Sequence, residues 1–476
     1  MNYSLCQVVP PETALLQAIV NGIATGSMVA LGAIGLSMVY SIAEVPNFAH
    51  GDLLTLGAYM ALLVNKPGNV PLLDTLTTGG QSATMGGTAV LFALGVVATL
   101  GAIYMLGGVE ALFGSFWPVD VPGGAALAVH VGLGAAVGAI ASLGVPSIIA
   151  AMLFSGIVVA ALGPLQERYV FGKFRAKDIS LAMMLVVSLA VAFVLRFTIQ
   201  TVFGSTTRSY SLQPELEVFG NSINMVVVKF LDFYVTGGGF LLNVSDPVSE
   251  AVLFNGVFSW VSLLLMFVAA AVAGYAGYRY RRGTRAILGP YLLGTIAGIL
   301  AFAVIGLFAS SPGPVPQDPI HSTRVRLSVL NGAIIVLALG MMGPLHTLLR
   351  ATTVGKAMRA TSDNRDLAEI RGIDVDQVTM GVWVIAGLFA GVGGATLGVL
   401  FGTLKITMGF FILLPMFAAV ILGGITIYGA LVGSYIVGLA MEIGIFALPL
   451  GATYRTPMAF VVLILVLLLK PEGITG

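Results

Sequence analysis

Long apolar runs alternate with short polar or basic interruptions along this chain, and their lengths set its class before any single residue does. A helix that crosses a bilayer needs about 20 mostly apolar residues, because the hydrocarbon is roughly 30 Å thick and each residue rises about 1.5 Å. Residues 13–43 and 75–109 carry no charge, and 121–165 has His130 as its one ionisable group and length enough for two helices. Further spans are predicted at 180–203, 254–278, 287–308 and 327–349. After Gln377 come one clear span, a long uncharged stretch at 406–441 and a last run at 455–469. The pattern predicts an all-α polytopic membrane protein with about ten to twelve crossings, some of them broken or re-entrant.

The stretch at 406–441 is punctuated by Gly409, Pro415, Gly423, Gly424, Gly429, Gly433 and Gly438. Breaks at membrane depth are tolerated where neighbouring protein or a water-filled cavity satisfies the freed backbone groups. Close helix packing through small residues is the other reading, and 61 glycines make it common along this chain.

Composition sharpens the class. Of 476 residues, 58% are hydrophobic and 9% charged, which excludes a soluble globular protein. Lys and Arg number 22 against 21 acidic residues, so the net charge of +1 supplies no field for nucleic acid. The single cysteine, Cys6, cannot close an internal disulfide. Four histidines without paired spacing predict no metal centre, and no motif calls for a cofactor. Residues 1–17 have no basic region and carry Glu12, so they do not read as a cleaved signal peptide.

Basic residues near helix ends stay on the cytoplasmic side, and three clusters hold thirteen of them. They are Arg168, Lys173, Arg175 and Lys177; Arg279, Arg281, Arg282 and Arg285; and Arg350, Lys356, Arg359, Arg365 and Arg371. Two predicted spans separate each cluster from the next, so all three can face the cytoplasm. The Gly-, Pro- and polar-rich segments at 208–246 and 311–326 then fall outside, and Lys470 places the C-terminus inside.

Two segments carry candidate chemistry. The first is Glu44-Val45-Pro46-Asn47-Phe48-Ala49-His50-Gly51-Asp52, followed by an apolar run at 53–64 that is short for a span. It reads as a broken helix whose polar groups line a pathway, with Asn47 or Asp52 capping the restart, or as a polar loop at the membrane surface. The second, 350–376, holds ten charges, five of each sign, of the 43 in the chain. It predicts a short helix from Thr352, a turn at 361–364, a second short helix to Arg371, and Gly372 as terminator. Such a segment suits docking to a partner, or is a solvated loop that sets topology. No Gly-x-x-x-x-Gly-Lys-[Ser/Thr] occurs, so ATP coupling requires another subunit. No Gly-x-Ser-x-Gly or His-Glu-x-x-His supports a hydrolase.

Asn21-Gly22, Gly26-Ser27 and Met38-Val39-Tyr40, then Asn47-Phe48-Ala49-His50-Gly51 and Gly57-Ala58-Tyr59, resemble the N-terminal signature of branched-chain amino acid ABC transporter permeases. Gly355-Lys356-Ala357-Met358-Arg359-Ala360, Gly372-Ile373-Asp374, Gly393-Gly394 and Gly423-Gly424 follow in the family's order. The resemblance covers about 13–65, 146–219 and 328–476 of a single permease domain. It leaves two extra hairpins at about 66–145 and 250–327. Asp52 stands where the family commonly has glutamate, and Gly172-Lys173 where it has Arg-Pro.

The resemblance implies a permease that is not itself an enzyme, in the cell membrane with its lipid. Its partners would be a second homologous permease, two cytoplasmic ATP-binding subunits and an external substrate-binding protein. Lys356, Arg359, Ala360, Arg365, Ala368, Arg371, Gly372 and Asp374 become a coupling loop that rests on the ATPase. Tyr40, Asn47, Phe48, His50, Gly51, Asp52, Pro415, Met416, Phe417, Gly423 and Gly424 become the candidate substrate pathway. Leucine, isoleucine and valine are the implied solutes, with urea or short amides as the alternative. An ion-coupled secondary transporter using Glu44, His50 and Asp52, and a passive channel or membrane scaffold, are the rivals from other classes.

Overall fold

A computed structural model describes residues 11–66, 85–105, 131–132, 134–139, 148–177, 179–211, 216–218, 221–223, 228–245, 252–281, 290–311, 313, 319–448 and 454–469. Two compact units emerge, Asn21–Glu215 with Ala333–Gly476, and Met1–Val20 with Leu216–Gly332.

The larger unit is helical. It takes in most of α1 (Pro11–Ala43), then α2 (Ala49–Asn65), α3 (Met85–Met105), α4 (Ile148–Gln166) and α5 (Leu181–Phe203). After the smaller unit come α8 (Val329–Ala351), α9 (Thr353–Asp363), α10 (Arg365–Ile370), α11 (Val375–Phe401), α12 (Met408–Leu422), α13 (Ile427–Ala447) and α14 (Arg455–Leu469). The core gathers around α11, where Trp383, Val382 and Phe389 pack with Leu31, Ile34 and Met38 of α1. Small residues bring the central helices almost into backbone contact. A Cβ at Gly57 of α2 would lie 2.6 Å from the Gly391 backbone of α11, and the Ser155 hydroxyl of α4 donates to the Gly391 carbonyl at 3.1 Å. Without a hydrophobic force between helices in lipid, such close approach and interhelical hydrogen bonding hold the bundle.

Pro164 removes a helical donor in α4, and the helix continues as a π-helical segment (Glu167–Phe171) before a last turn at Gly172–Arg175. That local widening turns Glu167 inward. Its carboxylate accepts from the Trp383 indole N–H at 2.9 Å and from both Arg175 amino groups at 2.7 and 3.2 Å.

The smaller unit was not foreseen as a sheet. Strands β3 (Val228–Thr236), β4 (Gly239–Ser245), β5 (Val252–Ser259) and β6 (His321–Ser328) form an antiparallel sheet in the order β5-β4-β3-β6. A two-stranded hairpin, β1 (Leu216–Val218) and β2 (Asn221–Ile223), precedes it. The apolar hairpin α6 (Trp260–Arg281) and α7 (Pro290–Ala309) is inserted between β5 and β6, and Gly274 and Gly294 let its two helices touch. Across the sheet Asp232 pairs in register with Arg324, and their side chains form two hydrogen bonds of 2.6 and 3.1 Å. Burial pushes the neighbouring Tyr234 phenol up from its ordinary value, with Asp232 adding to the shift and Arg324 opposing it.

Seven helices are long and apolar enough to cross a membrane, and four shorter apolar helices accompany them among the described residues. α5 and α6 lie between the first and second basic clusters, and α7 and α8 between the second and third, as the spacing of the apolar runs requires. His130, Arg282, Arg285 and Lys470 lie outside the described residues.

Candidate functional site

The segment between α1 and α2 is not a surface loop. α1 stops at Ala43 because Pro46 cannot continue a helix, and the chain turns at Glu44, whose φ of 56° is left-handed. Val45, Pro46 and Asn47 then run through protein interior. The Asn47 side-chain oxygen accepts from the Ala49 N–H at 3.0 Å, and its backbone carbonyl accepts from the His50 N–H at 3.3 Å. An Asx turn thus starts α2 at depth.

His50 fixes that depth. Its Nε2 lies 3.0 Å from the Gly32 carbonyl, which can only accept, so Nε2 carries the hydrogen. Gly32 stands eleven residues before the end of α1, about 16 Å along the helix. Asp52, one turn into α2, meets Arg196 of α5 through two bonds of 3.0 Å. Arg196 is seven residues, about 10 Å, from the far end of α5. α2 therefore begins partway through the bundle, beside the interior of α1 and α5, and not at either of its ends. Asn47 Nδ2 and His50 Nδ1 are buried there without a partner.

Four helices close around this break. The Phe48 N–H donates to Ser188 of α5 at 3.2 Å, and the Phe48 and Phe417 rings lie 5.1 Å apart. Met416 of α12 and Leu54 of α2 pack at Gly32 of α1. Gly51 lies against the Gly409 backbone, and the Gly409 N–H donates to the Thr55 hydroxyl at 3.1 Å. Pro415 is buried in α12. The structure thus brings Asn47, Phe48, His50, Gly51, Asp52, Met416 and Phe417 together. Tyr40 stands apart in the last turn of α1, partly exposed. Gly423 and Gly424 end α12 beyond Phe417, Gly424 with φ 64°, and make the turn into α13.

The charge-dense segment folds into two short helices, as its caps predict. Thr352 accepts from the Gly355 N–H and starts α9, Asn364 accepts from the Leu367 N–H and starts α10, and Asp374 accepts from the Gln377 N–H and starts α11. Gly372, at φ 82°, ends α10. Gly355 seats α9 on Leu348 and Leu349 of α8 so closely that a Cβ has no room. Lys356, Arg359, Arg371, Gly372 and Asp374 are exposed, Ala360 and Arg365 half-buried, and Ala368 buried. Arg365 lies 3.7 Å from Asp376.

The two ends of the bundle are identifiable. Ser362 of α9 donates to the Ser41 carbonyl, so α1 ends on the α9 face. At the other end Arg208 and Leu404 exchange backbone bonds of 3.1 and 2.7 Å, and Asn65 holds Ser211. The ends of α2, α5 and α11 therefore share the opposite face.

Residue patterns missed Arg196 as the partner of Asp52, and Trp383 and Glu167 as a buried pair. Arg196 was visible as a lone cation in an apolar run, which signals a required partner. Its rings, Phe193 and Phe410 at 5.4 and 4.8 Å, gave no such signal.

Comparison with known proteins gives the family. No solved structure matches the chain. A probable branched-chain amino acid transport permease protein, LivH, of Methanocaldococcus jannaschii is 28% identical over 244 residues, covering 46% of this chain and 76% of that protein. The high-affinity branched-chain amino acid transport system permease protein LivH of Escherichia coli K12 is 33% identical over 159 residues, covering 33% and 51%. BraD of Pseudomonas aeruginosa, described in the same words, is 32% identical over 166 residues, covering 35% and 53%. The chain thus spans about half the length of these last two relatives. The family profile for the permease component of branched-chain amino acid transport systems matches residues 219–469, more than half of the chain and all of α8 to α14. The chain belongs to that family of permease components.

Proposed function

We propose that this chain is the membrane subunit of an ATP-driven importer of leucine, isoleucine and valine, working by alternating access. The observation that carries the reading is the α9–α10 pair, capped at both starts and seated on α8 through Gly355. ATP-driven closure of a cytoplasmic subunit must move membrane helices through a stiff, water-exposed lever, and two short capped helices supply one. Arg359 and Arg371, exposed on it, are the contacts for an ATP-binding subunit. The basic clusters put this face in the cytoplasm, and with it the end of α1. A second permease, two ATP-binding subunits and an external substrate-binding protein complete the assembly.

The pathway follows from the break inside the bundle. Phe48, Met416 and Phe417 offer aliphatic and aromatic surface to a branched side chain, while the unpartnered Asn47 Nδ2 and His50 Nδ1 are polar groups that rearrangement at the break can expose. The test is coexpression with the neighbouring permease, ATPases and binding protein in vesicles, with ATP-dependent leucine uptake measured against isoleucine, valine and urea. Competition by the aliphatic amino acids is expected. Competition by urea alone moves the substrate, and uptake driven by a proton gradient without ATP overturns the importer.

A further inference from the structure

A cleft of about 230 Å³ lies behind the lever, between the end of α1, the end of α8, α9 and the α12–α13 turn. Its floor is aliphatic, with Ile42, Leu349, Met358 and Ile427, and its rim holds Arg350 and Arg359. Neither guanidinium is paired with a carboxylate among the described residues, and no carboxylate lines the cleft. Ser41 and Ser362 bridge one side through their hydrogen bond at 3.2 Å. The opposite side is the turn at Ile425, a β-branched residue held at φ 60°, a conformation that costs energy and persists where surrounding structure imposes it.

Size and charge define the ligand. The volume is that of about eight waters at roughly 30 Å³ each, below the ~300–1,000 Å³ of nucleotide or drug-sized pockets. With Arg359 given to the ATP-binding subunit, Arg350 is the cation left above an aliphatic floor, and it selects a small carboxylate with an apolar tail. α1 and α8 both end at this side of the bundle, and the partial negative charge of their C-termini suits an ammonium group, although the Ser41 carbonyl already accepts from Ser362 and the Leu348 carbonyl from Thr352. An aliphatic α-amino acid carries all three features.

We infer that this cleft is a second site for the transported class of solute, on the side where that solute emerges, and that its occupation slows transport. The inference rests on the import reading above. The cleft touches each element that a lever stroke must shift: α9 itself, the end of α1 that leads into the break, and the turn from which α12 carries Phe417 toward Phe48. A molecule wedged there ties α9 to the α12–α13 turn. Accumulated product thus restrains its own import.

The test uses the complete assembly in vesicles loaded with increasing leucine, with ATP-driven uptake of labelled leucine as readout. Lumenal leucine should lower the rate several-fold. Arg350→Gln, compared with its own uninhibited rate, should need about tenfold more lumenal leucine, the loss of one charge-assisted bond. Ile427→Trp fills the cleft as a bound molecule would, so uptake into empty vesicles should already be slowed and lumenal leucine should slow it little further. Uptake that ignores lumenal leucine, or inhibition equal in wild type and both variants, overturns the inference and leaves the import reading standing. Absence of uptake even into empty vesicles sinks the import reading and this one with it. Repeating the series in phosphatidylcholine with and without phosphatidylglycerol separates sources of the anion, and a rate that follows anionic lipid instead of leucine also overturns it.

Discussion

The Asp52–Arg196 pair allows a quantitative test of how the break is held inside the bundle. The Asp52 side chain is 0% exposed and Arg196 14%, and two charge-assisted bonds of 3.0 Å join them. Arg196→Met leaves a carboxylate buried without its cation, which costs about 3–5 kcal/mol. Asp52→Asn is milder. The guanidinium keeps one bond to the amide oxygen, the faces of Phe193 and Phe410, and its partial exposure, so the loss is about 1.5–3 kcal/mol. The double variant removes both desolvation penalties and should be more stable than Arg196→Met alone. At roughly 2 °C per kcal/mol for a large domain, Arg196→Met should lower the apparent melting temperature of the detergent-purified protein by about 6–10 °C. The readout is the fraction that remains monodisperse after stepwise heating. A shift under about 2 °C, or single losses that add in the double variant, would refute the claim that this pair is a coupled, desolvated unit.

Other perturbations separate packing from transport. Asn47→Leu and His50→Leu remove the buried polar groups at the head of α2 and should reduce leucine uptake about tenfold or more while the complex still assembles; normal uptake would leave these groups a structural role only. Gly394→Ala drives a methyl group into the Leu54 carbonyl of α2, so α11 and α2 must separate, at about 1–3 kcal/mol in thermal stability. Arg359→Glu reverses an exposed charge on α9 without touching the core, and should abolish copurification of the ATP-binding subunit with membrane insertion intact. Arg365→Glu is a less clean probe, because Arg365 is half-buried and lies beside Asp376.

Local grammar was legible in the sequence, and long-range pairing was not. Thr352, the turn at 361–364 and Gly372 announce the starts of α9 and α10 and the end of α10 because capping is decided within three or four residues; Asp374 as the cap of α11 follows the same rule and was not read from the sequence. Asp52 and Arg196 are 144 positions apart, and each alone reads as a stray charge in an apolar run. The sheet was hidden by its surroundings. Val228–Thr236, two glycines and Gly239–Ser245 carry the aromatic and β-branched run with a glycine turn that marks a hairpin, yet they sit among segments long enough to be read as membrane spans. The two readings of the glycine-rich C-terminal stretch are compatible with each other. A break at membrane depth leaves backbone donors without partners, and Gly409, which opens α12, finds its acceptor in Thr55 of α2. Thr55 can reach that N–H because Gly51 and Gly409 let the two backbones meet where any Cβ would hold them apart. Small residues here supply the close approach, and the close approach supplies the hydrogen bond that makes the break affordable, so removing the first removes the second.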